Sequence, residues 1–316
     1  MSDRHASVGA AVSVRGLTRR FGPLTAVDAL TFEVSPGELF GIVGPDGAGK
    51  TTTLRMLAGV LPASAGDAVI DGVSVTRDPE GVKPLIAYMA QRFGLYEDLT
   101  VAENLDFYAD LYLVPASERE ARLERLYRFS DLGEFTGRLA GALSGGMKQK
   151  LSLSCALIHQ PRVLLLDEPT FGVDPISRRD LWLILHEMVA EGVTVIVSTS
   201  YMDEAERCDR VALLDEGRVV ALDEPRALQA GLPERLVRVR SDQPRRARDI
   251  LRGTPGVVSA SLFGEDVHAL LEEGAEIATV SEALSRHGLD VLEIHEEEPG
   301  LEDVFIRRVV RAGHEP

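Results

Sequence analysis

Apolar positions along the chain change rhythm several times. Up to about Gly37, the short β-rich runs Val12-Ser13-Val14 and Leu30-Thr31-Phe32-Glu33-Val34 are separated by turn residues, which predicts an antiparallel β edge. Glu38–Val43 reads as a buried strand entering a glycine-rich loop, and Thr51–Leu61 as a helix. Residues 100–142 follow a helical pattern through Leu105, Leu111, Leu123 and Leu126, with a break at Pro115. From Leu143 the order is helix, strand (Val163–Leu166), helix (177–190), strand (Val193–Val197), helix, strand (Val211–Leu214). Strands alternating with helices predict a mostly parallel sheet in an α/β fold. Gly231-Leu232-Pro233 reads as a linker. Beyond it come a strand (Leu236–Arg240), a helix (Pro244–Leu251), a hairpin around Gly264-Glu265, a helix (Ala275–Arg286) and a strand (Leu289–His295). That βαββαβ order predicts a small ferredoxin-like α+β domain, followed by a helix over Leu301–Arg311. The expected organisation is a flexible tail over 1–10, a large domain over 11–230 and an accessory domain over 232–316.

Length and charge narrow the picture. The 316 residues suffice for one large and one smaller domain, and 45% hydrophobic content allows a sizeable core. The net charge of −16 argues against broad nucleic-acid binding, which needs a basic face. Cys155 and Cys208 lie far apart and form no C-x-x-C pair, which predicts reduced structural thiols. The best apolar runs are strand-length, well short of the roughly 20 residues that span a bilayer. The start, Met1–Ala10, lacks the basic and apolar pattern of a signal peptide. The expectation is a cytoplasmic protein whose membrane role comes through a partner.

Three motifs carry chemistry. Gly44-Pro45-Asp46-Gly47-Ala48-Gly49-Lys50-Thr51 fits G-x-x-x-x-G-K-[ST] between a strand and a helix. Its glycines let successive N–H groups face phosphate oxygens, and the helix start adds its positive dipole end. Lys50 is expected on the β- and γ-phosphates of ATP, Thr51 on Mg²⁺ and Thr52 on the α-phosphate. The fold expectation sharpens to a P-loop NTPase with a mostly parallel sheet, an antiparallel β edge and a helical subdomain. The second motif, Val163–Pro169, is an apolar strand delivering Asp167 and Glu168 at its C-terminal end, where ligands gather in open α/β sheets. Neighbouring residues on a strand point to opposite sides, so Asp167 can hold the metal shell while Glu168 faces an attacking water. The third, Leu143-Ser144-Gly145-Gly146-Met147-Lys148-Gln149, places a good N-cap and two bare N–H groups at a helix start, a second anion site.

In this order the motifs resemble those of ABC transporter ATPases. The resemblance implies that Ser144, Gly145 and Gly146 contact ATP held by a second ATPase subunit in a head-to-tail homo- or heterodimer. It implies that Gln91 senses Mg²⁺ and water, with the segment after it meeting a transmembrane permease subunit. It also implies that Phe21 stacks on adenine and that Gly172-Val173-Asp174-Pro175 forms the loop following the catalytic acids. Glu298-Pro299-Gly300-Leu301-Glu302-Asp303-Val304-Phe305 resembles the closing motif of daunorubicin-resistance-type drug exporters, which implies export. Where the family has a histidine on the γ-phosphate, this chain has Ser200. Serine donates a hydrogen bond but carries no charge. A lost charge-assisted contact of ~1.5–3 kcal/mol slows chemistry roughly 10- to 100-fold, so slow hydrolysis through Glu168 is expected. A nucleotide-dependent regulatory clamp with little turnover is the alternative. A soluble ABC protein acting on ribosomes or DNA is a third reading, disfavoured by the acidic charge and the single ATPase half.

Overall fold

The computed structural model describes residues 9–91 and 94–311. The expected tail falls largely on residues 1–8, outside the described residues, as do Arg92 and Phe93 after Gln91. The chain divides into two compact units, Met1–Val219 and Val220–Pro316.

In chain order the first unit runs β1 (Val12–Phe21), β2 (Leu24–Val34), β3 (Leu39–Val43), α1 (Lys50–Leu57), β4 (Ala65–Ile70), β5 (Val73–Ser74), α2 (Pro79–Val82) and β6 (Ile86–Met89). It continues through α3 (Val101–Leu111), α4 (Ala116–Ser130), α5 (Gly145–Leu157), β7 (Val163–Asp167), α6 (Pro175–Ala190), β8 (Thr194–Thr199), α7 (Met202–Ala205) and β9 (Arg210–Asp215). The unit boundary falls inside β10 (Arg218–Asp223). A four-stranded sheet has the order β2-β1-β4-β5, and a six-stranded sheet the order β10-β9-β3-β8-β7-β6.

The pairs β3–β8, β3–β9, β7–β8 and β6–β7 are parallel. Buried on both faces, β3, β7 and β8 carry no exposed position, as expected of strands covered by helices. Their C-terminal ends open side by side. The expected antiparallel edge is present but longer than its apolar runs, because β1 and β2 pair through several register shifts. The helix expected after β8 is one turn, Met202–Ala205. Helix α1 begins at Lys50 and stops at Leu57, short of Leu61. Both cysteines are free and buried, and burial raises both thiols above their ordinary range.

The second unit contains α8 (Pro225–Ala230), β11 (Arg235–Ser241), α9 (Pro244–Arg252), β12 (Val257–Phe263), β13 (Asp266–Leu271), α10 (Ile277–Arg286), β14 (Val291–Glu297) and α11 (Leu301–Arg311). The strand order β12-β13-β11-β14, antiparallel throughout, is that of a ferredoxin-like sheet. Val237, Val239, Leu251, Val267 and Leu284 form its own closed core.

Candidate functional site

Residues from the ends of β3, β7 and β8 converge on the start of α1. The loop Gly44–Gly49 turns the chain so that α1 starts at Lys50. Gly49 adopts φ 100°, a left-handed conformation, and a Cβ there would stand 2.6 Å from the Ala26 carbonyl oxygen. Only glycine meets both demands. A cavity of about 300 Å³ opens here, lined by Ala26, Asp46, Gly47, Gly49, Lys50, Thr51, Thr52, Gln91 and Glu168.

The Lys50 side chain is 5% exposed. Its Nζ donates to the carbonyls of Gly44 (2.8 Å) and Pro45 (3.0 Å) and to Ser200 Oγ (2.8 Å). It also lies 3.2 Å from Glu168 Oε1. Ser200 Oγ in turn donates to Glu168 Oε1 at 3.0 Å, while Asp46 Oδ1 stands 3.5 Å away. Gln91 Nε2 donates to Glu168 Oε2 at 3.0 Å. Glu168 therefore meets Lys50, Ser200 and Gln91. Its backbone has φ 47°, an uncommon conformation for a residue with a side chain.

Asp167, the last residue of β7, meets a different set of groups. Its Oδ1 accepts from Thr51 Oγ1 (2.9 Å) and Ser198 Oγ (2.8 Å). The Tyr88 hydroxyl reaches Oδ2 at 3.4 Å. Burial, reinforced by the Asp167 carboxylate, raises the Tyr88 phenol above its ordinary value. Ser198 Oγ also accepts the Glu168 N–H at 3.0 Å, so one hydroxyl serves both acids. Sequence reasoning missed Ser198. Its signal was a hydroxyl directly following the apolar run Val195-Ile196-Val197, a costly placement in a buried strand unless hydrogen-bonded.

Two expected groups stand apart from these contacts. Ser144 caps α5, its Oγ accepting from the Met147 N–H at 3.3 Å, and neither it nor Gly145 and Gly146 lines the cavity. Gly146 packs tightly on α6: a Cβ there would stand 2.2 Å from Ser177 Oγ. Phe21, 44% exposed at the β1–β2 turn, carries the Arg19 guanidinium 4.5 Å over its ring.

Among known proteins, the family profile described as ABC transporter matches residues 27–171. The chain is 43% identical over 308 residues to the probable multidrug ABC transporter ATP-binding protein YbhF of Escherichia coli (strain K12). That match covers 96% of this chain and 53% of YbhF, so the chain spans about half of that relative's length. It is 33% identical to the daunorubicin resistance ATP-binding protein DrrA2 of Streptomyces coeruleorubidus, over 95% of each chain. A solved structure described as an ATP binding subunit of an ABC transporter superposes with a TM-score of 0.64 at 31% identity, covering 70% of this chain and 92% of the other.

Proposed function

The chain belongs to the ABC transporter ATP-binding family, and on that premise we propose that it is a Mg²⁺-dependent ATPase subunit energising export through a separate membrane permease. The observation carrying this reading is the convergence of Lys50, Thr51, Asp167, Glu168, Gln91 and Ser200 on one cavity mouth.

The loop Gly44, Pro45, Asp46, Gly47, Ala48 and Gly49, with Lys50, Thr51 and Thr52, would cradle the phosphates of ATP through backbone N–H groups and the Lys50 charge. Thr51, Asp167 and Gln91 would hold the metal: their oxygens are the hard donors that Mg²⁺ prefers, and the Thr51 hydroxyl already meets Asp167 at 2.9 Å. Bound there, Mg²⁺ would neutralise charge on the β- and γ-phosphates. Glu168 would polarise the attacking water, held in place by Gln91 and Ser200. Ser200, in place of the family's histidine, would assist by hydrogen bond alone.

Phe21 would stack on adenine once Arg19 yields its face. Ser144, Gly145 and Gly146 lie outside the cavity, which supports completion of each site by a second subunit packed head to tail. Among the described residues, no helix is long and apolar enough to cross a membrane. On this reading the subunit works at the cytoplasmic face through a permease, as its similarity to ABC transporter ATP-binding proteins supports. The domain reading is kept as proposed: 11–230 as the ATPase and 232–316 as an accessory domain.

Steady-state ATP hydrolysis with Mg²⁺, beside Glu168→Gln, tests the reading. Turnover that Glu168→Gln abolishes is expected. ATP binding with no turnover, alone and with the permease, would refute it and leave a nucleotide-dependent clamp.

A further inference from the structure

Glu204 has no part in the site described above, yet its side chain is fully buried, 0% exposed. Its Oε2 accepts two hydroxyls, from Thr170 Oγ1 at 2.9 Å and Thr199 Oγ1 at 2.7 Å. Its Oε1 faces Arg178 Nε at 3.4 Å, and among the described residues neither of those two atoms has a hydrogen-bond partner. The Arg178 guanidinium also lies 4.5 Å over the Tyr201 ring.

The positions of these partners matter more than their number. Thr170 sits in the turn after Glu168, where the Phe171 N–H donates to the Glu168 carbonyl at 3.1 Å. Thr199 immediately precedes Ser200, and its Oγ1 accepts the Tyr201 N–H at 3.0 Å. A single carboxylate oxygen thus holds together the two segments that carry Glu168 and Ser200. Arg178 brings in a third element. It lies in α6, whose start is capped by Asp174, the Oδ1 of which accepts the N–H groups of Ile176 and Ser177 at 3.1 and 3.0 Å. Gly172–Asp174 is therefore joined to the same carboxylate through the first turns of α6.

A buried carboxylate is costly to keep unless it is paired and hydrogen-bonded. An ordinary core ion pair would meet that cost anywhere. Here both hydroxyl partners come from the segments bearing site residues, and the contact joins the turn after β7, the end of β8 and α6. We propose that Glu204 is a positioning residue: it fixes the separation of Glu168 and Ser200 and, through Arg178, ties that separation to α6 and the Gly172–Asp174 loop. Its consequence for turnover rests on the proposed ATPase function; the positioning itself does not.

The test uses the full chain carrying Glu204→Gln, which preserves shape and removes the charge facing Arg178. A second variant, Thr170→Val with Thr199→Val, removes both hydroxyls and leaves the ion pair, which keeps the test open should Glu204→Gln fail to fold. Displacement of reacting groups by about 1 Å costs on the order of 100-fold in rate, so kcat is expected to fall about 10- to 100-fold. Nucleotide affinity is expected to stay within about twofold, since the phosphate loop is untouched. Amide exchange in peptides spanning 168–173 and 199–203 is expected to quicken about tenfold, with 44–52 unchanged. Unchanged exchange in those peptides overturns the proposal, as does a parallel fall of kcat and affinity. If the parent itself does not hydrolyse ATP, the proposed function fails and the exchange measurement still decides the positioning.

Discussion

Replacing Ser200 with alanine removes the donor to Glu168 Oε1 at 3.0 Å and the acceptor of Lys50 Nζ at 2.8 Å, together with the longer 3.5 Å contact to Asp46 Oδ1. The lysine loses little, because it keeps the Gly44 and Pro45 carbonyls and lies 3.2 Å from Glu168. Glu168 keeps Lys50 and Gln91 but loses a hydrogen bond from the side nearest Asp46. A hydrogen bond to a charged group is worth ~1.5–3 kcal/mol, and with two partners retained the lower figure applies. At about 1.4 kcal/mol per decade of rate, Ser200→Ala should lower kcat about tenfold. Apparent ATP affinity should stay within about twofold, since the phosphate loop keeps its backbone N–H groups and Lys50. Ser200→His places a group able to carry charge at the same point and should raise kcat about tenfold above the parent. The assay is phosphate release at saturating ATP and Mg²⁺, with fluorescent-nucleotide binding measured in parallel. If both variants match the parent within about twofold, which the energies above exclude, Ser200 does not touch the reacting phosphate and the reasoning fails.

Three further outcomes are expected. Lys50→Ala removes the buried cation of the loop proposed to hold phosphate. Two charge-assisted contacts of ~1.5 kcal/mol each predict roughly 100-fold weaker ATP binding, measurable by titration. Gly146→Ala would place a Cβ 2.3 Å from Ser177 Cβ; overpacking of this kind costs about 1–3 kcal/mol, and calorimetry should find a lower melting temperature. In the second unit, the Arg240 hydrogen bond, followed by that of Arg238, holds the Asp266 carboxyl at about 2. Because this lies below the ordinary value of 3.8, the stability it confers is complete above that value and is lost as pH falls toward about 2. Asp266→Asn should therefore flatten the acid limb of a pH series of melting curves, and a parallel fall of both chains would rule the contribution out.

The sequence made some levels legible and hid others for physical reasons. Gly44–Thr51 and Asp167-Glu168 could be read because local spacing alone places them at a strand–helix turn and a strand end. The βαββαβ order of the second unit was equally open to reading, since each element carries its own period. The extent of the antiparallel edge was not: Ala29 adopts φ 52° and the register shifts along β1, which breaks the alternation that marks a strand. Strand β4 begins Ala65-Gly66-Asp67, a composition that reads as a turn. Ser198 and Glu204 were hidden for a different reason. Their partners lie across the sheet, at Asp167 and at Thr170 and Arg178, and no local pattern encodes such a meeting.

The backbone of Glu168 has a consequence beyond chemistry. A side chain held at φ 47° carries conformational strain of about 1 kcal/mol or more, which a glycine there would shed. Local conformational preference and tertiary contacts therefore pull this position in opposite directions. Glu168→Gly would shed that strain but leave the buried Lys50 cation, Gln91 and Ser200 without their carboxylate, so the backbone stays in an unfavourable region only because the side chain anchors it there.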